Sequence, residues 1–235
     1  MSAARVAILV GAVMAMDALG QAHGQPSGPS PGDGVIHAVT YVEVMPTSVP
    51  TALAILKRYR EATRREDGSL RTEVVQRLGE PHEFVVLSVW KDRAAFEAHG
   101  KSASATDTRE RIAAIRKAPT DERLHTALSA GRLDATVPRG AVYVVTHVDV
   151  IPPRKDEGVA ALTRLADDSR QHDGNLTFEV VQQVSRPNHF TVVEIWKDAG
   201  ALEAHGMAPA TRRFRDTLAP MSGALYDERK YRAIE

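Results

Sequence analysis

The sequence contains no cysteine among its 235 residues. Disulfide bonds, thiolate catalysis and zinc–thiolate sites are therefore excluded, and packing alone must hold the fold together. An excess of charge of one sign is also missing, because 30 basic side chains balance 30 acidic ones. A balanced chain without a basic stripe of interleaved aromatic residues offers nothing that attracts nucleic acid. We expect no nucleic-acid partner.

An apolar run lies near the N-terminus, where residues 6–16 are almost wholly apolar and small residues follow. This order is typical of a secretory signal peptide, and the run is shorter than the roughly 20 residues of a membrane-spanning helix. We predict a signal peptide over residues 1–24 and a Pro/Gly/Ser-rich linker over 25–35. The mature protein is then periplasmic or secreted and has no membrane span. A disordered or core-packed N-terminal helix is the alternative.

Several short motifs occur twice in the sequence. Glu-Val-Val-Gln begins at residues 73 and 179, Trp-Lys-Asp begins at 90 and 196, and the histidine of Glu-Ala-His-Gly is 99 or 205, so each separation is 106 residues. A repeat of this length is the size of a domain and indicates a duplication. We predict one domain over residues 36–130, a linker over 131–140 and a second domain over 141–235.

Within each repeat the hydrophobic pattern predicts the order β-α-β-β-α-β, which is a ferredoxin-like unit. Ser48 and Asp156 are the expected caps of the first helices, and the second helical stretch is expected to break near Gly100 and Gly206. Such a unit leaves one sheet face uncovered, and two units bury these faces by packing sheet on sheet. The predicted fold class is α+β, with two tandem ferredoxin-like units forming one intramolecular α+β barrel.

The candidate site comes from residue spacing in the second copy. Alternation along its third strand places Phe190, Val192, Glu194 and Trp196 on one face. The following helix places His205 on the same side as apolar residues. We therefore expect the tryptophan, the histidine and the glutamate to be neighbours over one sheet face. The first copy has Trp90 and His99 at the matching positions, with Ser88 in place of the glutamate.

The stretch Trp-Lys-Asp-x-x-x-Leu-Glu-Ala-His that ends at His205 resembles the antibiotic biosynthesis monooxygenase (ABM) family of dimeric α+β barrels. That family includes cofactor-free quinol monooxygenases. Residues 173–182 also resemble the enzyme of the same fold that isomerises phosphorylated autoinducer-2. The resemblance covers both repeats. It implies a monooxygenase of a quinol-like or polyphenolic molecule, with O₂ as co-substrate and neither a cofactor nor a metal.

The resemblance also implies roles for the candidate residues. His205 is the expected base or proton shuttle, Trp196 a stacking platform and N–H donor, and Glu194 the group that orients the histidine. Four further residues are expected to bind substrate: Phe190, Val192, Trp90 and His99. Because the first copy has Ser88 in place of the glutamate, we expect the second copy to keep the site.

Departures from the family keep other functions open. Relatives often carry a second histidine where this chain has Ser104 and Ala210, and a haem-degrading branch needs an axial histidine where Arg109 and Arg215 are expected. One alternative is an isomerase that moves a proton next to a carbonyl. Another is a non-catalytic small-ligand-binding protein with decayed pockets. The chain is expected to be a monomeric pseudo-dimer or a homodimer.

Structural roles can also explain the same residues. His99 and His205 can staple a helix, and the two tryptophans can anchor the core. Glu73 and Glu179 are expected to form interface ion pairs with Arg64 or Arg170 rather than to act in catalysis. The spacing of three histidines in the second copy matches no metal motif: His147, His189 and His205.

Overall fold

The computed structural model describes residues 34–133 and 135–235. The predicted signal peptide and the linker as far as residue 33 lie outside the described residues, so export stays a prediction. Within the described ranges, every helix is too short or too polar to cross a lipid bilayer.

Both halves have the predicted β-α-β-β-α-β order, and the second helical stretch is divided in two. The first half consists of β1 (Ile36–Glu43), α1 (Val49–Thr63), β2 (Ser69–Arg77), β3 (Glu83–Trp90), α2 (Arg93–Gly100), α3 (Ala103–Ala113) and β4 (Asp121–Ser129). The second half consists of β5 (Val142–Asp149), α4 (Lys155–Ser169), β6 (Asn175–Gln183), β7 (His189–Trp196), α5 (Ala199–Met207), α6 (Pro209–Leu218) and β8 (Asp227–Ala233).

The eight strands form one closed antiparallel barrel in the order β1-β3-β2-β8-β5-β7-β6-β4. Each half contributes a four-stranded ferredoxin-like sheet, and the pairs β2–β8 and β4–β6 join the two sheets. The predicted α+β barrel is confirmed. Facing sheets alone would leave four open edges, whereas these two junctions pair every edge and so remove sites for unwanted strand addition.

Strand alternation separates an inner core from two outer ones. Inward-facing residues from both halves, such as Val39, Val75, Val145 and Val193, pack together inside the barrel. The opposite strand faces pack under the helices in separate clusters for each half. The space between the sheet and the helices therefore exists once in each half.

Ser48 is the N-cap residue of α1, as predicted, but its side chain does not cap the helix, and the predicted cap at Asp156 is wrong. A 3₁₀ turn, Pro46–Ser48, leads directly into α1, so Ser48 has ψ near 2° and its side chain makes no capping hydrogen bond. Capping requires an extended residue, which a continuing turn does not supply. The N-cap of α4 is Arg154, and Asp156 lies in its first turn.

Ion pairs link the strands near one end of the barrel. Arg64 pairs with Glu73 at 2.8 Å, as expected. Glu179 does not pair with Arg170, because that guanidinium donates to the carbonyls of Phe178 and Ser129. The partner of Glu179 is Arg71 of the other half, whose two terminal nitrogens donate to the two carboxylate oxygens at 3.1 and 2.6 Å. The Arg71 and Glu179 side chains are 10% and 1% exposed, so this pair is a buried bond between the halves.

We expect Glu179→Gln to lower the free energy of unfolding by about 3 kcal/mol, because it leaves the Arg71 charge buried without its counter-ion. Glu73→Gln is the matched control, since residue 73 occupies the same position in the other repeat and its partner Arg64 is 39% exposed. That change should cost about 1 kcal/mol or less. Urea unfolding measures both values, and equal losses would contradict the assignment.

Candidate active site

The predicted residues of the second half do meet. Trp196 Nε1 donates to Glu194 Oε2 at 2.8 Å, and the ring of His205 stacks on the indole with centroids 4.6 Å apart. His205 Nε2 lies 3.7 Å from Glu194 Oε2. β7 ends at the tryptophan, and Asp198 then caps α5 by accepting from Ala201 N, which directs the histidine back over the indole.

This second-half cluster is a buried one. His205 is 6% exposed and Glu194 is 3% exposed. Burial raises the pKa of Glu194 to about 8, although the hydrogen bond from Trp196 opposes the shift. Burial also lowers the pKa of His205 to about 4, and the neighbouring His172, whose Nδ1 lies 3.0 Å from His205 Nδ1, adds to the effect. Both groups are therefore uncharged near neutral pH.

Protein side chains fill the space beside this cluster. The rings of Phe214 and Tyr226 meet edge to face, 6.3 Å apart, and pack into the helix-side core of the second half. Phe190 and Val192, the predicted substrate-binding residues of this half, belong to the same packed core. The second half therefore has the predicted residues in the predicted places, beneath these two rings. A cavity of about 310 Å³ in this half lies between α4 and α6 beside Phe214, and His205, Trp196 and Glu194 do not line it.

The first half has a cavity of about 300 Å³ between the sheet and helices α1, α2 and α3. Its floor carries Tyr59 and His99, and its walls are largely apolar. The apolar wall residues are Val42, Leu56, Val86, Phe96, Ala105 and Ile112. Polar groups from β1, α2, α3, β4 and the loop before β4 also line the cavity: Thr40, Glu97, Thr108, Arg109, Thr120 and Glu122.

His99 is held from both sides in this cavity. Its Nε2 is 2.8 Å from Tyr59 Oη, and its Nδ1 is 2.7 Å from Glu66 Oε2. The ring stacks on Trp90 with centroids 4.6 Å apart, which repeats the geometry of the second half. Trp90 Nε1 donates to Ser88 Oγ, so serine takes over the acceptor role that Glu194 has. The first half thus places a tyrosine, a histidine and a glutamate in one hydrogen-bonded line.

Aligning the two halves at the offset of 106 residues shows which residues make them different. Leu165 and His172 of the second repeat match Tyr59 and Glu66, so the second repeat has neither the phenol nor this carboxylate. Phe214 and Tyr226 match Thr108 and Thr120, so two rings occupy the volume that two threonines leave open. Neither Tyr59 nor Glu66 was among the predicted site residues. Aligning the repeats at every position is the signal that could have found both.

The cavity mouth also differs between the halves. In the second half, Arg215 and Glu228 form an ion pair at 3.2 Å. Their counterparts Arg109 and Glu122 both line the first-half cavity, and Arg109 donates to Gly100 O and Thr106 Oγ1. The first-half mouth therefore lacks the charge pair that crosses the same place in the second half.

Other polar clusters lie at the open end of the barrel. His147 Nε2 contacts His189 Nδ1 at 3.1 Å, whereas His205 belongs to the separate cluster with His172. Among the described residues, one group has metal-ligand proximity: Glu43, His82 and Glu83. Its two carboxylates already bind cations of the protein, Lys117 at 2.7 Å and Arg77 at 2.6 Å.

The buried Glu194 predicts a pH dependence of stability. Its pKa is about 8 in the folded chain and near 4.5 otherwise, so the folded state holds the extra proton and loses stability as the pH rises toward 8. His205 acts in the opposite direction, but only between about 4 and 6.5. From about pH 6.5 to 8 the Glu194 effect therefore stands alone and should amount to about 1–2 kcal/mol.

Glu194→Gln, which mimics the protonated acid, should remove this loss of stability, as measured by urea unfolding across that pH range. Ser88→Ala, at the matched position of the first half, should keep the wild-type profile. A Glu194→Gln profile as steep as that of the wild type would show that Glu194 is ionised throughout.

The family match repeats the duplication seen in the fold. The model of the antibiotic biosynthesis monooxygenase family matches residues 35–111 and 141–217. The protein named "Putative monooxygenase YcnE" of Bacillus subtilis (strain 168) is 27% identical over 64 residues, which are 27% of this chain and 67% of that protein.

Two crystal structures of proteins named "putative monooxygenase" share the barrel. The one from Fusobacterium nucleatum has a TM-score of 0.78 at 16% identity, covering 86% of this chain and 94% of its own. The one from Lactobacillus acidophilus NCFM has a TM-score of 0.73 at 12% identity, covering 86% and 95%. At these identities the likeness shows the fold alone. The two family matches are decisive, and the chain belongs to the antibiotic biosynthesis monooxygenase family, with two copies of its domain.

Proposed function

We propose that this protein is a cofactor-independent monooxygenase that oxidises a quinol-like or polyphenolic molecule with O₂ in the first-half cavity. One observation carries the proposal. The line Tyr59–His99–Glu66 reaches the floor of a largely apolar cavity and presents a proton acceptor there. Family membership supports the reaction class, and the filled space over His205 favours the first half over the second.

The chemistry requires an electron-rich anion that can reduce O₂ itself. Glu66 accepts the Nδ1 proton of His99, so His99 Nε2 accepts from the Tyr59 hydroxyl, and the phenolic oxygen of Tyr59 can accept the proton of a substrate hydroxyl. The ionised ring then donates electrons to O₂. In the overall reaction one oxygen atom enters the ring, the other leaves as water, and the hydroquinone ends as a hydroxyquinone.

The cavity suits an uncharged aromatic ring. Val86, Phe96 and Ile112 supply apolar contacts, and the volume of about 300 Å³ suits a small aromatic molecule. At the mouth, Arg109 faces two carboxylates, Glu97 and Glu122, so the lining is not basic. A phosphorylated substrate needs a basic pocket. The mouth therefore favours a phenol over the phosphorylated compound that the isomerase alternative requires.

The proposal moves the site away from the residues that the sequence favoured. His99 and Trp90, expected only to bind substrate, become the base and the ring on which it stacks, while the catalytic roles of His205, Trp196 and Glu194 stay predictions. The proposal includes export by the N-terminal segment and a monomeric pseudo-dimer whose barrel is complete in one chain. It invokes no cofactor and no metal.

Oxygen uptake with a panel of hydroquinones tests the function and its place. We expect His99→Ala and Tyr59→Phe to lower uptake at least about 100-fold, which is the size of a general-base contribution. His205→Ala, the matched change in the other half, should leave uptake close to wild type, with folding checked by circular dichroism. Loss of uptake only in His205→Ala would return the site to the second half. Wild-type uptake no faster than buffer across the panel would reject the monooxygenase.

A second prediction uses the filled half as a template. Thr108→Phe copies Phe214 and should abolish hydroquinone oxidation by filling the cavity. The free energy of unfolding should stay the same or rise, because the same fold already holds a phenylalanine at the matched position. Thr108→Ser, which keeps the space, is the control and should remain active. An active Thr108→Phe variant would show that the substrate binds elsewhere.

A further inference from the structure

His99 lies in a wall between two cavities. On one side is the first-half cavity with Tyr59, and on the other is an outer cleft of about 520 Å³. Besides His99, the cleft is lined by Glu66, Asp67, Lys91, Asp92 and Ser102, together with small side chains of α2. The Asp67 side chain is 96% exposed, so the cleft opens to solvent.

The hydrogen bonds across this wall all run in one direction. Ser102 Oγ donates to Glu66 Oε1 at 3.2 Å, and His99 Nδ1 lies 2.7 Å from Glu66 Oε2. A carboxylate offers only acceptor oxygens, so the His99 tautomer that satisfies this contact carries its proton on Nδ1. Nε2 therefore accepts from Tyr59 Oη at 2.8 Å. A continuous line of donors and acceptors joins the cavity floor to the solvent cleft.

We propose that Glu66, held by Ser102, is the outlet through which the proton of an ionising substrate leaves the first-half site. The proposal rests on the proposed function, in which a bound phenol is ionised. The substrate proton passes to Tyr59 Oη as the tyrosine proton passes to His99 Nε2. The Nδ1 proton then moves to Glu66 and from there to water in the cleft. These transfers leave His99 with its proton on Nε2, and the line regains its starting form when the imidazole ring turns over and returns that N–H to the Glu66 side.

The charges around the line agree with this direction. The cleft holds the carboxylates of Glu66, Asp67 and Asp92 against one ammonium, Lys91, which pairs with Asp67 at 3.1 Å. An acidic cleft attracts a departing proton. Asp92 also accepts from Ala95 N as the cap of α2. On the cavity side, burial raises the pKa of Tyr59, Glu122 adds to the shift and Arg109 opposes it, so the tyrosine passes its proton on only as it receives the proton of the substrate.

The second half lacks the residues that form the proposed outlet. Its counterparts of Tyr59, Glu66 and Ser102 are Leu165, His172 and Ala208. His205 contacts His172 there instead of a carboxylate. The stacked Trp–His pair is common to both halves, so packing of that pair does not require Glu66. The half that has the open cavity is also the half that has the Glu66 carboxylate.

Proton release on binding of 4-nitrophenol tests the outlet without any oxidation. The experiment uses the full chain under argon, at a pH below the phenol's own pKa, and records the visible phenolate band together with a pH indicator. The wild type should bind the phenol as phenolate and release one proton. Glu66→Ala should slow release about tenfold or more, and added formate should restore it, which a purely structural role would not do.

His172→Ala, at the matched position of the second half, is the control and should release the proton as the wild type does. Wild-type release in Glu66→Ala, absence of formate rescue, or failure of the wild type to ionise the phenol would each overturn the outlet. Because no oxygen is present, the result is separate from the uptake assay. Ionisation without oxygen uptake would reject the monooxygenase and keep the outlet, whereas uptake without the Glu66 effect would do the reverse.

Discussion

Closure of the barrel is the constraint on which the rest of the structure depends. Each four-stranded sheet has two edges, and the β2–β8 and β4–β6 pairs join them between the halves. Closure buries the inner strand faces, so the barrel interior is largely committed to packing and to the Arg71–Glu179 bond. Space for a ligand beneath the helices then exists only on the outer sheet faces, once in each half.

Placing both halves in one chain lets these two spaces diverge. A symmetric dimer of one domain must carry every substitution twice. Here the threonine that leaves the first-half cavity open at residue 108 is a phenylalanine at 214, and the glutamate that binds His99 is a histidine at 172. Neither difference touches the strand pairs that close the barrel. The fold can therefore hold one open half and one filled half without loss of its frame.

The fold and part of the site could be predicted from the sequence, whereas the cavity and the partner of Glu179 could not. Alternation along a strand is local and the repeat can be read directly from the chain, so the strands, the divided helices and the proximity of His205 to Trp196 could be predicted. The cavity could not, because its volume depends on Thr108 and Thr120, which come from a helix and a loop that meet only in the folded chain. The partner of Glu179 was missed for the same reason, since Arg71 comes from the other half.

Burial also decides which histidine can act as a base. In the second half, burial lowers the pKa of His205 to about 4 and raises that of Glu194 to about 8, so near neutrality the histidine is a weak base and the glutamate keeps its proton. In the first half, Glu66 supplies the counter-charge that an imidazolium needs, and the outer cleft keeps that carboxylate in contact with water. A base needs a route for its proton as well as a substrate beside it. The same Trp–His stack is therefore a core element in one half and part of the proposed proton line in the other.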